Sequence, residues 1–428
     1  MVGGKQKPGR CLRFVRSEEI RLERQNGDIY ESLMKLDRWV EQANWKGYDA
    51  FDGLASPYAR FLTFNNPFLK QVWQQGVRRF PINLRPVLRI EPGMSTKAMG
   101  FFGQGYLRLY KTYGEAVYLK KAKFCFQWLK ENRSPQFNDF AWGNHFDYQS
   151  RGGNISKGTP TIVWTGLIGH AFLDAYETLG DKQYLDVAKS ACDFILHDLG
   201  WQEFNEGVLF RYYPNADILV HNSSMIGASL LARVSSLSPN PRYREMAERA
   251  IQFTVHHQTE KGAWHYGVGE KWAWIDSFHT GYVLEALHVF IRCTGAKKYG
   301  PAMRKGYGYF VETFFESDGT PCYYAHKTLP IDIQCASEAV QTLINLRDLH
   351  PDSVATAMNV AEWTIANMQD KTGYFYYRKY RLITNQTPTL HWGQATMFAA
   401  LALLDQYLHS ARQAAGTGGE AQASLQAR

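Results

Sequence analysis

Apolar residues recur at helical spacing in two alternating kinds of segment along this chain. The stretch Trp264 to Leu287, WHYGVGEKWAWIDSFHTGYVLEAL, shows how a unit begins. Its first half is aromatic, basic and broken by glycine, which suits a short hairpin or loop. At Asp276, a residue type favoured at helix N-caps, the pattern changes. Phe278, Tyr282, Val283 and Leu287 then follow at three- and four-residue steps.

The same change recurs near Thr96, Thr159, Asn222, Asp332 and His391, at intervals of 54 to 63 residues. All six helices so predicted are rich in Gly, Ala and Ser and nearly free of charge. A helix that is apolar all round is buried, and small residues let neighbours approach closely. After each of the first five comes an amphipathic helix with one charged face, suited to an outer layer: Ala116–Asn132, Lys182–Asp198, Pro241–Gln258, Lys298–Glu316 and Ser353–Gln369. An early helix, Ser17–Gln42, supplies a sixth outer partner. The pattern predicts an all-α fold, a closed (α/α)6 toroid, with short β-hairpin loops on the face where the inner-helix N-termini open. Shorter repeats of the TPR or HEAT kind do not make one helix of each pair almost uncharged. The expected organisation is an N-terminal helix with a ring-closing or lid segment (residues 1–80), the toroid (81–410) and a disordered tail (411–428).

Composition narrows the class. The chain has 428 residues, a formal net charge of +8 and six scattered cysteines without a CxxC pair. That cysteine usage favours a reducing compartment and gives no structural zinc framework. The start, MVGGKQKPGRCLRF, is basic without a signal-like apolar run, and the run Ala395 to Leu404 is too short to span a bilayer. These features predict a soluble, cytoplasmic protein with no membrane span. The basic residues lie within loops rather than along one helix stripe, which argues against nucleic acid as a partner.

Candidate chemistry concentrates in the loops that enter the inner helices. Each pairs adjacent aromatics with Lys or Arg: Arg151, Arg211, Lys271, Lys327 and Arg378. Aromatic faces stack on sugar rings, while guanidinium groups and helix N-termini favour anions. The ring-stacking candidates are Trp142, Trp264, Tyr266, Trp274, Tyr324, Tyr376 and Trp392, and the anion-holding ones Arg151, Arg211 and Arg378. Pinning the hairpins to the ring is the alternative use of the same aromatics. Asp276 and Asp332 open inner helices, where a carboxylate pair can act as general acid and base or serve only as N-caps. Glu338 lies one and a half turns into an uncharged helix, where a buried acid needs a partner. His145, His221, His279 and His391 occupy comparable places in four of the repeats, and His279 shares a helix face with Asp276. Asp276, His279, His391, Asp332 and Glu338 are therefore the catalytic candidates, with His145 and His221 added to the substrate-binding set. No metal site and no cofactor are assigned. GxSxG, GxxxxGK[ST] and HExxH motifs are absent.

The six inner helices, with the motifs WHYGVGEKWAWIDSFHTG and TPTLHWGQA, resemble the six-hairpin α/α-toroid carbohydrate-active superfamily. Its members include glycoside hydrolases, polysaccharide lyases and sugar epimerases. The stretch NLRPVLRIEPGMSTKAMGFFGQGYLRLY is similar to proteins found with polysaccharide-assembly genes. The basic aromatic loops suggest an anionic, ring-bearing ligand such as a glycan with uronic acid, and together with the resemblance they predict an enzyme acting on an anionic glycan or an activated sugar in polysaccharide assembly or modification. Hydrolysis, elimination and epimerisation all stay open. So do a non-catalytic glycan-binding or scaffold role in polysaccharide export, and a toroid acting on an isoprenoid or peptide.

Overall fold

The computed structural model describes residues 27–150 and 153–426, the side chains of 415–426 excepted. A first helix, α1, covers residues 27–42. It is followed by Pro67–Arg79 (α2). Inner and outer helices then alternate: Thr96–Tyr113 (α3), Ala116–Glu131 (α4), Ile162–Leu179 (α5), Lys182–Phe194 (α6), His221–Leu237 (α7) and Pro241–His256 (α8). The series continues with Ser277–Thr294 (α9), Gly300–Thr313 (α10), Ile333–Asn345 (α11), Ser353–Met368 (α12) and Ala395–Gln426 (α13).

The inner helices α3, α5, α7, α9, α11 and α13 pack each on the next, and α13 returns to α3. The ring is therefore closed, as the uncharged pattern of these helices requires. Helix α1 is the sixth outer helix. Its Asp37 accepts from Tyr106 at 2.7 Å and pairs with Lys121 at 2.6 Å, while its Ser32 donates to Gln369 at 2.8 Å. Residues 17–26 of the early helix expected from the sequence lie outside the described residues. The last helix carries helical backbone to Gln426, into the stretch whose composition predicts disorder.

Closure depends on small residues. A Cβ placed on Gly105 of α3 would lie 2.5 Å from the Phe398 ring of α13. Where α3, α5 and α9 end, Gly114, Gly180 and Gly295 adopt φ 72, 72 and 72, and each donates its N–H back to the fourth residue before it. This left-handed cap turns the chain outward into the next helix. Some of the charges carried by inner helices are paired inside the ring, whereas Lys97 of α3 lies buried over the Trp164 and Trp392 rings with no hydrogen-bond partner among the described residues. Arg233 of α7 contacts Asp174 at 2.6 Å and Glu177 at 2.8 Å, both from α5, and Arg108 donates to the Ala399 carbonyl at 2.8 Å.

Short antiparallel strands decorate the loops. Tyr148–Ser150 (β1) pairs with Gly153–Ile155 (β2), and Trp201–Phe204 (β3) with Gly207–Phe210 (β4). Ile331–Asp332 (β5), Arg378–Lys379 (β6) and Thr384–Asn385 (β7) form a three-stranded sheet with β6 at its centre. No helix among the described residues is long and apolar enough to cross a membrane. Residues 43–80 both close the ring and cover it. Gly47 bridges to Gly93 and Tyr48 to Thr389, whereas α2 lies across the face where the inner-helix N-termini open.

Gly105→Val forces two methyl groups against Phe398 at the closing seam. It is expected to cost about 1–3 kcal/mol of stability, the usual price of overpacking a dense core, as measured by denaturant unfolding.

Candidate active site

The N-terminal turns of the inner helices and the loops entering them enclose a cavity of about 1190 Å³. Its floor includes Thr161 and Trp164 of the α5 start, Phe278 and His279 of α9, Asp332 and Gln334 at α11, and His391 with Trp392 ahead of α13. Its walls are aromatic, with Phe51, Tyr148, Tyr212, Tyr266, Trp272, Trp274, Tyr323, Tyr324, Tyr377 and Tyr380. Helix α2 supplies the roof through Phe68, Gln71, Val72, Gln75, Arg78 and Arg79.

Asp276 caps α9 and also orients a histidine. One carboxylate oxygen accepts from the His279 backbone N–H at 3.0 Å. The other receives the His279 Nδ1 at 2.7 Å and the Trp274 indole N–H at 3.0 Å. Asp276 itself is buried behind the wall. The imidazole of His279 lies against Tyr266, which stacks on Trp274 with ring centroids 4.4 Å apart. A carboxylate accepts only, so Nδ1 carries the proton and Nε2 is left for another partner.

A second pair has the same chemistry. His391 lies in a widened, π-helical turn over Leu390–Gln394 that precedes α13. Its Nδ1 is 2.6 Å from Asp49 and 3.1 Å from the Ser95 hydroxyl. Asp49 is held in turn by the Phe51 backbone N–H at 2.9 Å. Both members of the pair are 1% exposed, and His391 Nε2 has no hydrogen-bond partner among the described residues. Burial lowers the His391 imidazole below its ordinary value, against the pull of Asp49. The ring is then neutral near pH 7, with Nε2 an unpaired acceptor buried within the cavity wall.

The cations divide into two groups. Arg378 on β6 is tied to Asp332, which caps α11 and takes Nε of the guanidinium at 2.8 Å as well as a terminal nitrogen. Arg78, Arg79 and Lys327 also line the cavity, and none of them has an ion-pair partner among the described residues. Arg78 donates to the Tyr377 hydroxyl at 2.7 Å and lies over the Phe51 ring. Among the described residues the two carboxylates of the lining, Asp49 and Asp332, are both already paired, so the described wall keeps an excess of positive charge. Trp164 Nε1 and Asn144 Oδ1 are buried within the wall with no hydrogen-bond partner among the described residues.

Of the residues singled out from the sequence, His279, His391, Asp332, Tyr266, Trp274, Tyr324, Arg378 and Trp392 meet at this cavity, with Asp276 directly behind it. Others lie elsewhere. Trp142 and Trp264 are core residues whose indole N–H groups donate to the carbonyls of Leu129 and Thr254, each 2.9 Å away, near the ends of outer helices. At these two positions the repeated aromatics pin loops to the ring. His221 turns outward onto Thr254 and Phe253, and burial lowers its imidazole to about 3. Burial likewise lowers His145 to about 4, where it packs against Gly93 behind the wall. Arg211 donates to Ala216 of its own loop, and the Tyr376 hydroxyl donates to Asp370. Glu338 lies beneath the floor. There burial and the charge of Glu285 raise its carboxyl well above the usual range, with Tyr282 and Lys97 opposing. Arg151 lies outside the described residues.

Asp49, Arg78 and Arg79 were not assigned roles from sequence. The available signal was the segment from Gly53 to Ile90, which has six basic residues and no acidic one. Among the described residues no group of three or more His, Cys, Asp or Glu side chains is placed to hold a metal ion.

No family model and no curated protein sequence matches this chain. Solved structures do. Cellobiose 2-epimerase from Bacillus thermoamylovorans is similar with a TM-score of 0.58 at 12% identity, over 73% of this chain and 90% of that one. A GH76 α-mannanase from Bacteroides thetaiotaomicron gives 0.54 at 14%, covering 76% and 88%. A polysaccharide lyase gives 0.54 at 12%, covering 74% and 92%. The chain has the α/α-toroid fold of these carbohydrate-active enzymes.

Trp264→Ala removes a fully packed indole and is expected to destabilise the protein by about 3–5 kcal/mol. Trp274→Ala, at the half-buried cavity wall, costs less. Denaturant unfolding of the two variants separates pinning aromatics from lining ones.

Proposed function

We propose that this protein is an enzyme that moves protons on an anionic sugar or glycan, at a carbon next to a carbonyl or carboxylate. The observation that carries this reading is the presence of two imidazoles in one cavity, each with Nδ1 held by a carboxylate. His391, neutral and unpartnered at Nε2, is the general base, and His279 is the partner acid. Asp49 and Asp276 fix the tautomers and stabilise the imidazolium form while it carries a proton.

Glycoside hydrolysis is the weaker reading. It needs two carboxyl groups free to flank the scissile bond. Here Asp49, Asp276 and Asp332 are bound to His391, His279 and Arg378. Epimerisation, isomerisation and elimination all begin with the abstraction of a proton from carbon, and two histidines lining one cavity suit that step. Arg78, Arg79 and Lys327 favour a ligand with a carboxylate or phosphate, and they would stabilise the negative charge that develops as the proton leaves. The aromatic wall favours sugar rings. Similarity in fold to a sugar epimerase and a polysaccharide lyase supports the carbohydrate class. The stretch from residue 83 to 110 supports a place in polysaccharide assembly or modification.

Incubation with uronic-acid oligosaccharides in heavy water tests this. Deuterium should enter the sugar next to its carboxylate or carbonyl, seen by NMR, with an unsaturated product only if the reaction is an elimination. His391→Gln and His279→Gln should each lower the rate by about 10²–10⁴ without changing the melting temperature. Full activity of both variants would overturn the assignment.

The acid limb of the pH–rate profile is set by the base, which must be neutral. It should therefore fall below the ordinary histidine value of about 6.5. Asp49→Asn removes a charge that raises the His391 value, so the limb should move to still lower pH while the maximal rate drops. Arg78→Gln should weaken an acidic oligosaccharide by roughly 1.5–3 kcal/mol, the range for a hydrogen bond to a charged group. Arg211→Gln should change little. Titration calorimetry reads both.

A further inference from the structure

Fifteen large apolar side chains are conspicuously exposed among the described residues, and twelve of them lie on two segments beside the cavity mouth. Ten fall between Tyr58 and Val87, on and around helix α2. The other two, Leu382 and Ile383, form the tip of the β6–β7 hairpin. The two segments are joined. Asn385 on β7 donates to the carbonyls of Phe80 at 2.8 Å and Arg78 at 3.3 Å. Phe68 and Val72 are exposed and also line the cavity, so the apolar surface continues to its edge.

The exposure is high: Phe61 77%, Phe64 79% and Leu382 94%. These side chains stand out from turns and a hairpin tip instead of lining a groove. Cations are interleaved with them. Residues 53–90 hold six Lys or Arg and no Asp or Glu, and Arg60, Arg79 and Arg89 are exposed, as is Arg381 on the hairpin. A soluble protein rarely leaves so much contiguous apolar surface uncovered. Projecting aromatics and aliphatics among basic residues, with no acidic residue between them, complement an anionic lipid headgroup layer.

We propose that this face docks on an anionic bilayer. Helix α2 and the hairpin tip enter the headgroup region, and the cavity mouth is held at the membrane surface. Ligand then enters from the bilayer side, which suits a glycan still attached to a lipid. The docking itself does not depend on the reaction proposed above.

The full chain should co-sediment with vesicles of phosphatidylcholine and phosphatidylglycerol in equal parts. It should not co-sediment with phosphatidylcholine alone, and added salt should weaken binding. Phe61→Ser with Phe64→Ser should abolish sedimentation. Arg60→Gln and Arg89→Gln should each weaken it roughly fivefold, the effect of one surface cation. All are exposed positions outside the cavity lining, so melting temperature and calorimetric binding of an acidic oligosaccharide should stay unchanged. Absence of binding to the mixed vesicles would overturn the proposal. So would full binding by the double Phe variant, or a concentration-dependent dimer that the same substitutions abolish, which would assign the face to a second copy. Loss of oligosaccharide binding in His279 or His391 variants bears only on the cavity reaction.

Discussion

Everything in this molecule depends on the close approach of inner helices around a closed ring. Each is buried from both sides, so it carries almost no charge, and small residues bring neighbouring backbones together. The seam between α3 and α13 shows the limit, because Gly105 leaves no room for even a Cβ against Phe398. Because an outer helix returns the chain between each consecutive pair, all the inner helices run the same way, with their N-termini on one face. The entering loops are thereby gathered around a single cavity. The helix ends contribute positive potential to its floor, while Arg78 and Arg79 of the roof and Lys327 add formal charge to the lining.

The ring also decides how buried polar groups are satisfied. A carboxylate at the start of an inner helix has two oxygens and more than one possible partner. Asp276 spends one oxygen on the helix cap and the other on the His279 ring. Capping and orienting a proton carrier are thus one arrangement. Asp332 caps α11 in the same way but gives its second oxygen to Arg378, which turns a possible acid and a possible anion clamp into a neutral pair. Asp49 comes from the N-terminal segment instead, and reaches His391 only because residues 47–48 bridge to positions 93 and 389. The two histidine–carboxylate pairs of the cavity therefore arise by different routes, one local and one long-range.

Helix α2 sets the boundary between cavity and surroundings. Its inward side adds cations and amides to the site, and its outward side and flanking turns carry exposed apolar residues. The same short element shapes the ligand pocket and the surface through which the pocket is reached. Sites on a toroid lie on loops held by a rigid ring, so specificity can change through such a segment without disturbing the helices.

Much of the architecture was legible in the residue pattern. Six uncharged segments alternating with amphipathic ones can be buried together only in a closed double layer, and hydrophobic periodicity is a local signal. The Asp276–His279 pair was legible too, because three residues on a helix is a fixed geometry. Trp142, Trp264 and His221 read the same as Trp274 and His279 along the chain, yet they turn outward. A helix start has an inner and an outer side, and only packing against the neighbouring helices selects between them. The Asp49–His391 pair spans 342 residues, so no spacing rule reaches it. What the chain determined by itself was the ring and the location of its mouth. Which polar side chains meet there, which are neutralised by a partner, and which stay free to act were decided only when the tertiary structure brought distant residues within hydrogen-bonding distance.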